Sequence, residues 1–129
     1  MAGYSGTPLF RKLGFKPGMV VRLTAPPEAY ADWLAGAEGV AFDPAVTGAA
    51  AVHLFLHAPA DLGRIPAALA ALRPSGMLWL SWAKKSSPLH AGIAEDDLRA
   101  AVLPRGWVDV KVCAVSADWS GLKFLRRRT

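Results

Sequence analysis

A chain of 129 residues that is 53% hydrophobic and 19% charged fits one domain with a sizeable core, which excludes intrinsic disorder and leaves no room for two ordinary domains. Fifteen Lys and Arg against ten Asp and Glu leave a formal charge of +5, with Arg126, Arg127 and Arg128 read as a solvated tail; the balance permits anionic ligands or nucleic acid without requiring either. The single cysteine, Cys113, excludes an intrachain disulfide and a multi-cysteine metal site, and neither the opening MAGYSGTPLF nor any later stretch reads as a secretion signal or a bilayer span, so a soluble, cytoplasmic protein without membrane contact is expected.

In chain order, Gly3-Tyr4-Ser5-Gly6 is a flexible opening before Thr7-Pro8-Leu9-Phe10-Arg11-Lys12-Leu13-Gly14, a short helix with a cap residue, a first-turn proline and a closing glycine. Met19 to Thr24, rich in β-branched residues, reads as the first strand. Pro26 and Pro27 then open a helix whose Tyr30, Trp33 and Leu34 share one face toward the sheet, and Gly36 ends it. Val40 to Asp43 is a brief second strand, and Pro44 to Ala50 a connection.

Residues 51 to 85 organise the chain. Val52 to His57 is an apolar strand, Leu62, Ile65, Leu69 and Leu72 form one helical stripe, and Met77 to Trp82 is a second apolar strand. Two buried strands joined by a helical crossover must be parallel, so the unit dictates a layered α/β domain. Pro66 lies inside the stripe and predicts a helix split into a single turn and a regular piece beginning near Arg64. Arg73-Pro74-Ser75-Gly76 is a sharp exit. After the loop Ala83 to Gly92, Glu95, Asp96 and Asp97 start a helix to about Leu103, where carboxylates favour the positive end of its dipole. Val108 to Ser116 alternates Val108, Val110, Val112 and Ala114 against Asp109, Lys111, Cys113 and Val115, and Leu122 to Leu125 returns antiparallel. The expected architecture is a Rossmann-like three-layer αβα sandwich of about six strands. It is mainly parallel with a C-terminal antiparallel hairpin, in the spatial order second, first, third, fourth, sixth, fifth.

With Leu72-Arg73-Pro74-Ser75-Gly76 before the fourth strand, Gly106-Trp107-Val108 before the fifth and a terminal hairpin, the chain resembles the class I S-adenosylmethionine-dependent methyltransferases in outline. A closer likeness is to a small bacterial family of unknown function. It runs through Gly3 to Leu9, Trp82-Ala83-Lys84-Lys85, Asp109 to Val115 and Trp119-Ser120-Gly121-Leu122. The methyltransferase resemblance implies a glycine-rich turn after the first strand, where the cofactor lies against bare backbone. This chain has Thr24-Ala25-Pro26-Pro27-Glu28 instead, so no cofactor and no tight S-adenosylmethionine binding are expected. The resemblance also implies an acid for ribose hydroxyls at the end of the second strand, which Asp43 matches; the residues alone make it the start of an Asp43-Pro44 turn.

His53 and His57 are four apart, but on a strand that separates them by roughly 13 Å, too far for one metal, so no metal site is expected. His57, at the carboxyl end of its strand, is the one catalytic candidate, as a general acid or base. Cys113 reads as a structural thiol, and Asp109 and Lys111 as partners of the terminal arginines. The candidate ligand residues are Lys84, Lys85 and Ser86 after the fourth strand and Trp119 and Ser120 in the hairpin turn, with Tyr4 and Ser5 closing over them, and separately Asp43 at the end of the second strand. Two ammonium groups beside an indole suit an anionic ligand with a flat part. Three readings stand open: a module binding an anionic small molecule or a protein without methyl transfer, a methyltransferase with an atypical cofactor turn, and, less favoured, a nucleic-acid accessory protein.

Overall fold

The computed structural model describes residues 7–128. Six strands, β1 (Val20–Thr24), β2 (Ala41–Asp43), β3 (Ala49–Leu56), β4 (Leu72–Ala83), β5 (Trp107–Ala114) and β6 (Trp119–Arg126), form one sheet in the order β2-β1-β3-β4-β6-β5. β2, β1, β3 and β4 are mutually parallel, and β6 runs antiparallel to both its neighbours. The expected order is borne out: the β3 to β4 crossover fixes the centre, and the chain reverses direction of travel across the sheet at β1.

Helices α1 (Leu9–Leu13) and α2 (Tyr30–Trp33) cover one face, and α3 (Ile65–Ala70) and α4 (Glu95–Val102) cover the other. On β3 the strand period of two sends Val52, Leu54 and Leu56 under α3 and α4, and Ala51, His53 and Phe55 under α1 and α2. All eight residues of β3 are buried, as a central strand covered on both sides must be.

Several local expectations change. α1 has no side-chain cap from Thr7: Pro8 is the N-cap, and its carbonyl accepts the Arg11 and Lys12 N–H groups. Gly14 ends α1 at φ 77, a conformation that needs no Cβ. Pro66 does split its helix, with a 3-10 segment over Pro59–Arg64 and α3 starting at Ile65, so that the proline ring stands where no N–H is required. Leu72 belongs to β4, opposite Ala49, and the Arg73 to Gly76 exit is an excursion within that strand before Met77 pairs with Ala51. A Cβ on Gly76 would lie 2.8 Å from Leu72 and 3.0 Å from the Ala49 carbonyl, so the excursion is too tight for any other residue. The simple alternation along β5 is broken by a bulge between Asp109 and Lys111. The extra residue reverses the phase, so Asp109 and Val112 share one face, and Lys111 and Cys113 the other.

The three carboxylates of α4 are structural, as read. Asp97 accepts from the Ala94 N–H at 2.8 Å, and Glu95 and Asp96 pair with Arg99. Arg99 also binds Asp109 at 3.0 Å and holds its carboxyl below the usual range. Asp109 therefore pairs with α4 and not with the terminal arginines: two residues after the buried Trp107 it shares that residue's face, and the bulge then turns Lys111 to the other. Lys111 likewise donates to the Lys12 carbonyl at 2.9 Å. Arg126 lies over the Trp107 ring, 4.5 Å from its centre.

Candidate functional site at the carboxyl edge of the sheet

The carboxyl ends of the parallel strands gather at one edge, and β1 and β3, between which the direction of travel reverses, leave there in different directions. Ala25, the first residue after β1, has φ 55, the one described non-glycine residue with positive φ. A side chain in that region is strained by roughly 1–3 kcal/mol, so surrounding contacts must hold it. His57, the first residue after β3, supplies one: its Nε2 donates to the Ala25 carbonyl at 2.7 Å. That carbonyl can only accept, so Nε2 carries the proton. The His57 N–H, with the Ala58 N–H, also binds Asp61, and the His57 bond comes first in holding that carboxyl below its ordinary range.

The fourth-strand loop and the hairpin turn do arrive together. Ala83 pairs with Trp119, the Lys84 N–H donates to the Asp118 carbonyl at 2.8 Å, and the Ser87 hydroxyl donates to the Asp118 carboxylate at 2.9 Å. Ser116 accepts from the Asp118 and Trp119 N–H groups, which fixes the turn. Lys84 is half-buried, and Lys85 and Ser86 are exposed.

Trp119 plays a different part from the one expected. It is 4% exposed, with Phe55 edge-on at 5.2 Å and His57 at 5.0 Å, so its ring is a floor beneath His57 and offers no open stacking surface. Ser120 pairs with Trp82 and falls on the opposite face. Asp43 accepts the Ala45 N–H at 2.8 Å, the local turn its sequence suggests. Tyr4 and Ser5 lie outside the described residues.

Below this edge is a polar chain that the separate residues did not reveal. His53, 0% exposed, hydrogen-bonds through Nδ1 to the Tyr30 hydroxyl at 2.9 Å and through Nε2 to the Ser81 hydroxyl at 2.7 Å, and Ser81 is equally buried. Burial raises the Tyr30 phenol pKa and lowers that of His53 to about 3, so the imidazole is neutral. The signal was present: a histidine inside Ala49 to Leu56 and a serine inside Met77 to Ala83 are isolated polar residues on adjacent buried strands, and each must find a partner. Cys113 is half-buried, with its thiol pKa raised by burial despite Lys111 and Lys12.

No protein-family model and no curated protein matches the sequence. Solved structures do match the fold. An S-adenosylmethionine-dependent methyltransferase from Aquifex aeolicus aligns with TM-score 0.64 at 12% identity, over 90% of this chain and 86% of that one. Magnesium protoporphyrin IX methyltransferase from Synechocystis PCC 6803, solved with bound S-adenosylmethionine, aligns with TM-score 0.57 at 14% identity, over 92% and 74%. A TehB-like S-adenosylmethionine-dependent methyltransferase from Corynebacterium glutamicum aligns with TM-score 0.55 at 9% identity, over 98% and 91%. The fold is methyltransferase-like. No helix among the described residues is long and apolar enough to cross a membrane.

Proposed function

We propose that this chain is a methyltransferase-fold module that binds a small anionic molecule at the carboxyl edge of its sheet and does not transfer methyl groups. The observation that carries the reading is the 2.7 Å bond from His57 to the Ala25 carbonyl, which ties the ends of β3 and β1 together across the point where strand order reverses. Open α/β sheets place ligands in that crevice. The residues present do not fit an adenosylmethionine seat. Ala25 carries a Cβ where backbone must lie bare, its carbonyl is already engaged, and Pro26 and Pro27 have no N–H to offer.

The positive charge at the same edge favours an anion. Lys84 and Lys85 follow a strand end pinned to the Asp118 turn, and neither forms an ion pair among the described residues. Asp118, the nearest acid on that turn, accepts the Ser87 hydroxyl. With Trp119 covered, recognition rests on the two ammonium groups and His57, which suits compact carboxylates better than flat aromatic anions. The test is a thermal-shift panel of S-adenosylmethionine, S-adenosylhomocysteine and small di- and tricarboxylates. Carboxylates should raise the midpoint of the wild type and not of Lys84→Ala/Lys85→Ala, and the two adenosyl compounds should leave both unchanged. A shift with S-adenosylmethionine, or equal carboxylate shifts in both proteins, refutes the proposal.

A further inference from the structure

A second concentration of charge lies farther along the hairpin, away from the carboxyl edge. Lys111 of β5 and Lys123 of β6 stand directly opposite one another and on the same face of the antiparallel pair. Like charges in that position repel and destabilise a hairpin. The turn leaving α1 closes over them. Lys111 Nζ donates to the Lys12 carbonyl at 2.9 Å, and a Cβ on Gly14 would lie 3.9 Å from Lys123 Nζ, so both ammonium groups converge on the turn from Lys12 to Gly14. Lys12 belongs to that turn, and Lys16 follows two residues after Gly14. Burial first, then Lys111 and Lys16, lower the Lys123 pKa.

No side-chain carboxylate among the described residues answers these charges. Among the described residues none of the four lysines forms an ion pair, and Asp109, their neighbour in sequence, is held by Arg99 on the opposite face. Capping of α1 does not account for the cluster either. The helix has five residues, its Lys12 carbonyl takes Lys111 alone, and its Leu13 carbonyl is taken by the Trp79 indole N–H at 2.9 Å. The Lys123 ammonium donates no hydrogen bond among the described residues.

We propose that Lys12, Lys16, Lys111 and Lys123 form a binding site for a compact, multiply charged phosphate compound, distinct from the carboxyl-edge site. Lysine binds phosphate as a point charge, and several ammonium groups around one turn match an anion carrying more than one negative charge. A single carboxylate would leave most of the repulsion in place. Single-stranded nucleic acid is disfavoured because the exposed large apolar side chains among the described residues, Leu89, Val110 and Val112, include no aromatic ring on which a base could stack.

Cys113, the chain's one cysteine, reports on the site, since it lies on the same face and feels the charges of Lys111 and Lys12. Its rate of alkylation by iodoacetamide is measured with tripolyphosphate, with ADP, and with sodium chloride at matched ionic strength. At about ten times Kd the phosphate compound should slow alkylation about tenfold, because only unoccupied protein reacts. The first two arms distinguish a free polyphosphate from a nucleotide-borne one, and protection by either supports the site. Lys123→Met keeps the apolar stem and removes the charge. It should abolish protection while raising the ligand-free unfolding midpoint, and Lys84→Ala/Lys85→Ala should keep protection intact. Equal protection in Lys123→Met, equal protection by sodium chloride, or a midpoint of Lys123→Met below wild type would overturn the proposal. So would protection by a single-stranded oligonucleotide at a concentration where tripolyphosphate and ADP give none.

Discussion

The two faces of the sheet bury the same strands by different means. Under α3 and α4 the buried side chains are all apolar, from Val52, Leu54 and Leu56 to Leu98, Val102, Leu122 and Phe124. Under α1 and α2 the covering helices have five and four residues, and what closes the face is aromatic rings and directional bonds. Tyr30 touches Phe42, His53 and Phe55, the Tyr30-His53-Ser81 chain crosses from α2 to β4, and the Trp79 indole holds the end of α1. A face closed by apolar area alone is tolerant of shape, and one that relies on hydrogen bonds is not.

That contrast can be broken or sharpened by denaturant unfolding. The largest effect is expected from Trp79→Ala, about 3–5 kcal/mol from lost volume, against Leu80→Ala on the other face at about 2–5 kcal/mol. Trp79→Phe should retain a measurable loss from the missing bond to the Leu13 carbonyl, and a wild-type midpoint for it would show that the bond to α1 is idle. Next, Tyr30→Phe should destabilise by about 1–3 kcal/mol, because it leaves a buried imidazole nitrogen unpaired while keeping the ring; a change within error would detach the polar chain from stability.

The third effect depends on pH. His53 titrates near 6.5 when unfolded and at about 3 when folded. Between those values the unfolded chain holds the extra proton, so this contribution is complete above about pH 6.5 and is lost at about 1.4 kcal/mol per pH unit on acidification toward pH 3. His53→Leu should flatten the slope above about pH 5.5, where ordinary carboxylates remain almost fully ionised. An unchanged slope there would mean that the proton is taken up elsewhere. The smallest effect is Arg99→Ala, expected below about 1 kcal/mol and reduced by salt, because Asp96 is open to solvent and Glu95 and Asp109 are only part-buried.

Topology was legible because it follows from a few strong signals. The apolar runs around Val52 and Met77 with an amphipathic stretch between them force a parallel crossover, and the hairpin-sized connection Ala117 to Gly121 forces the final reversal. The bulge in β5 was not legible, since Val108, Val110 and Val112 alternate as well in a regular strand and only pairing with β6 shows the added residue. At the carboxyl edge, the meeting of Lys84 with the Asp118 turn followed from strand direction. The burial of Trp119 did not, because it depends on Phe55 and His57 arriving from a strand two places away. The chain of Tyr30, His53 and Ser81 spans separations of 23 and 28 residues, which no local pattern encodes.

The bulge at the end of the sheet also bears on how molecules of this protein meet one another. A sheet has two open rims, each a row of unpaired backbone groups on which a neighbouring chain can template itself. Here one rim, β2, is three residues long, and the other, β5, is kinked by its added residue between Asp109 and Lys111, with a charged side chain on each side of the kink. Val110 and Val112 remain exposed on that second rim, and on a flat strand they would be adhesive. The kink denies an incoming strand the straight ladder it needs, so a strongly apolar chain keeps its edges from seeding growth into fibres.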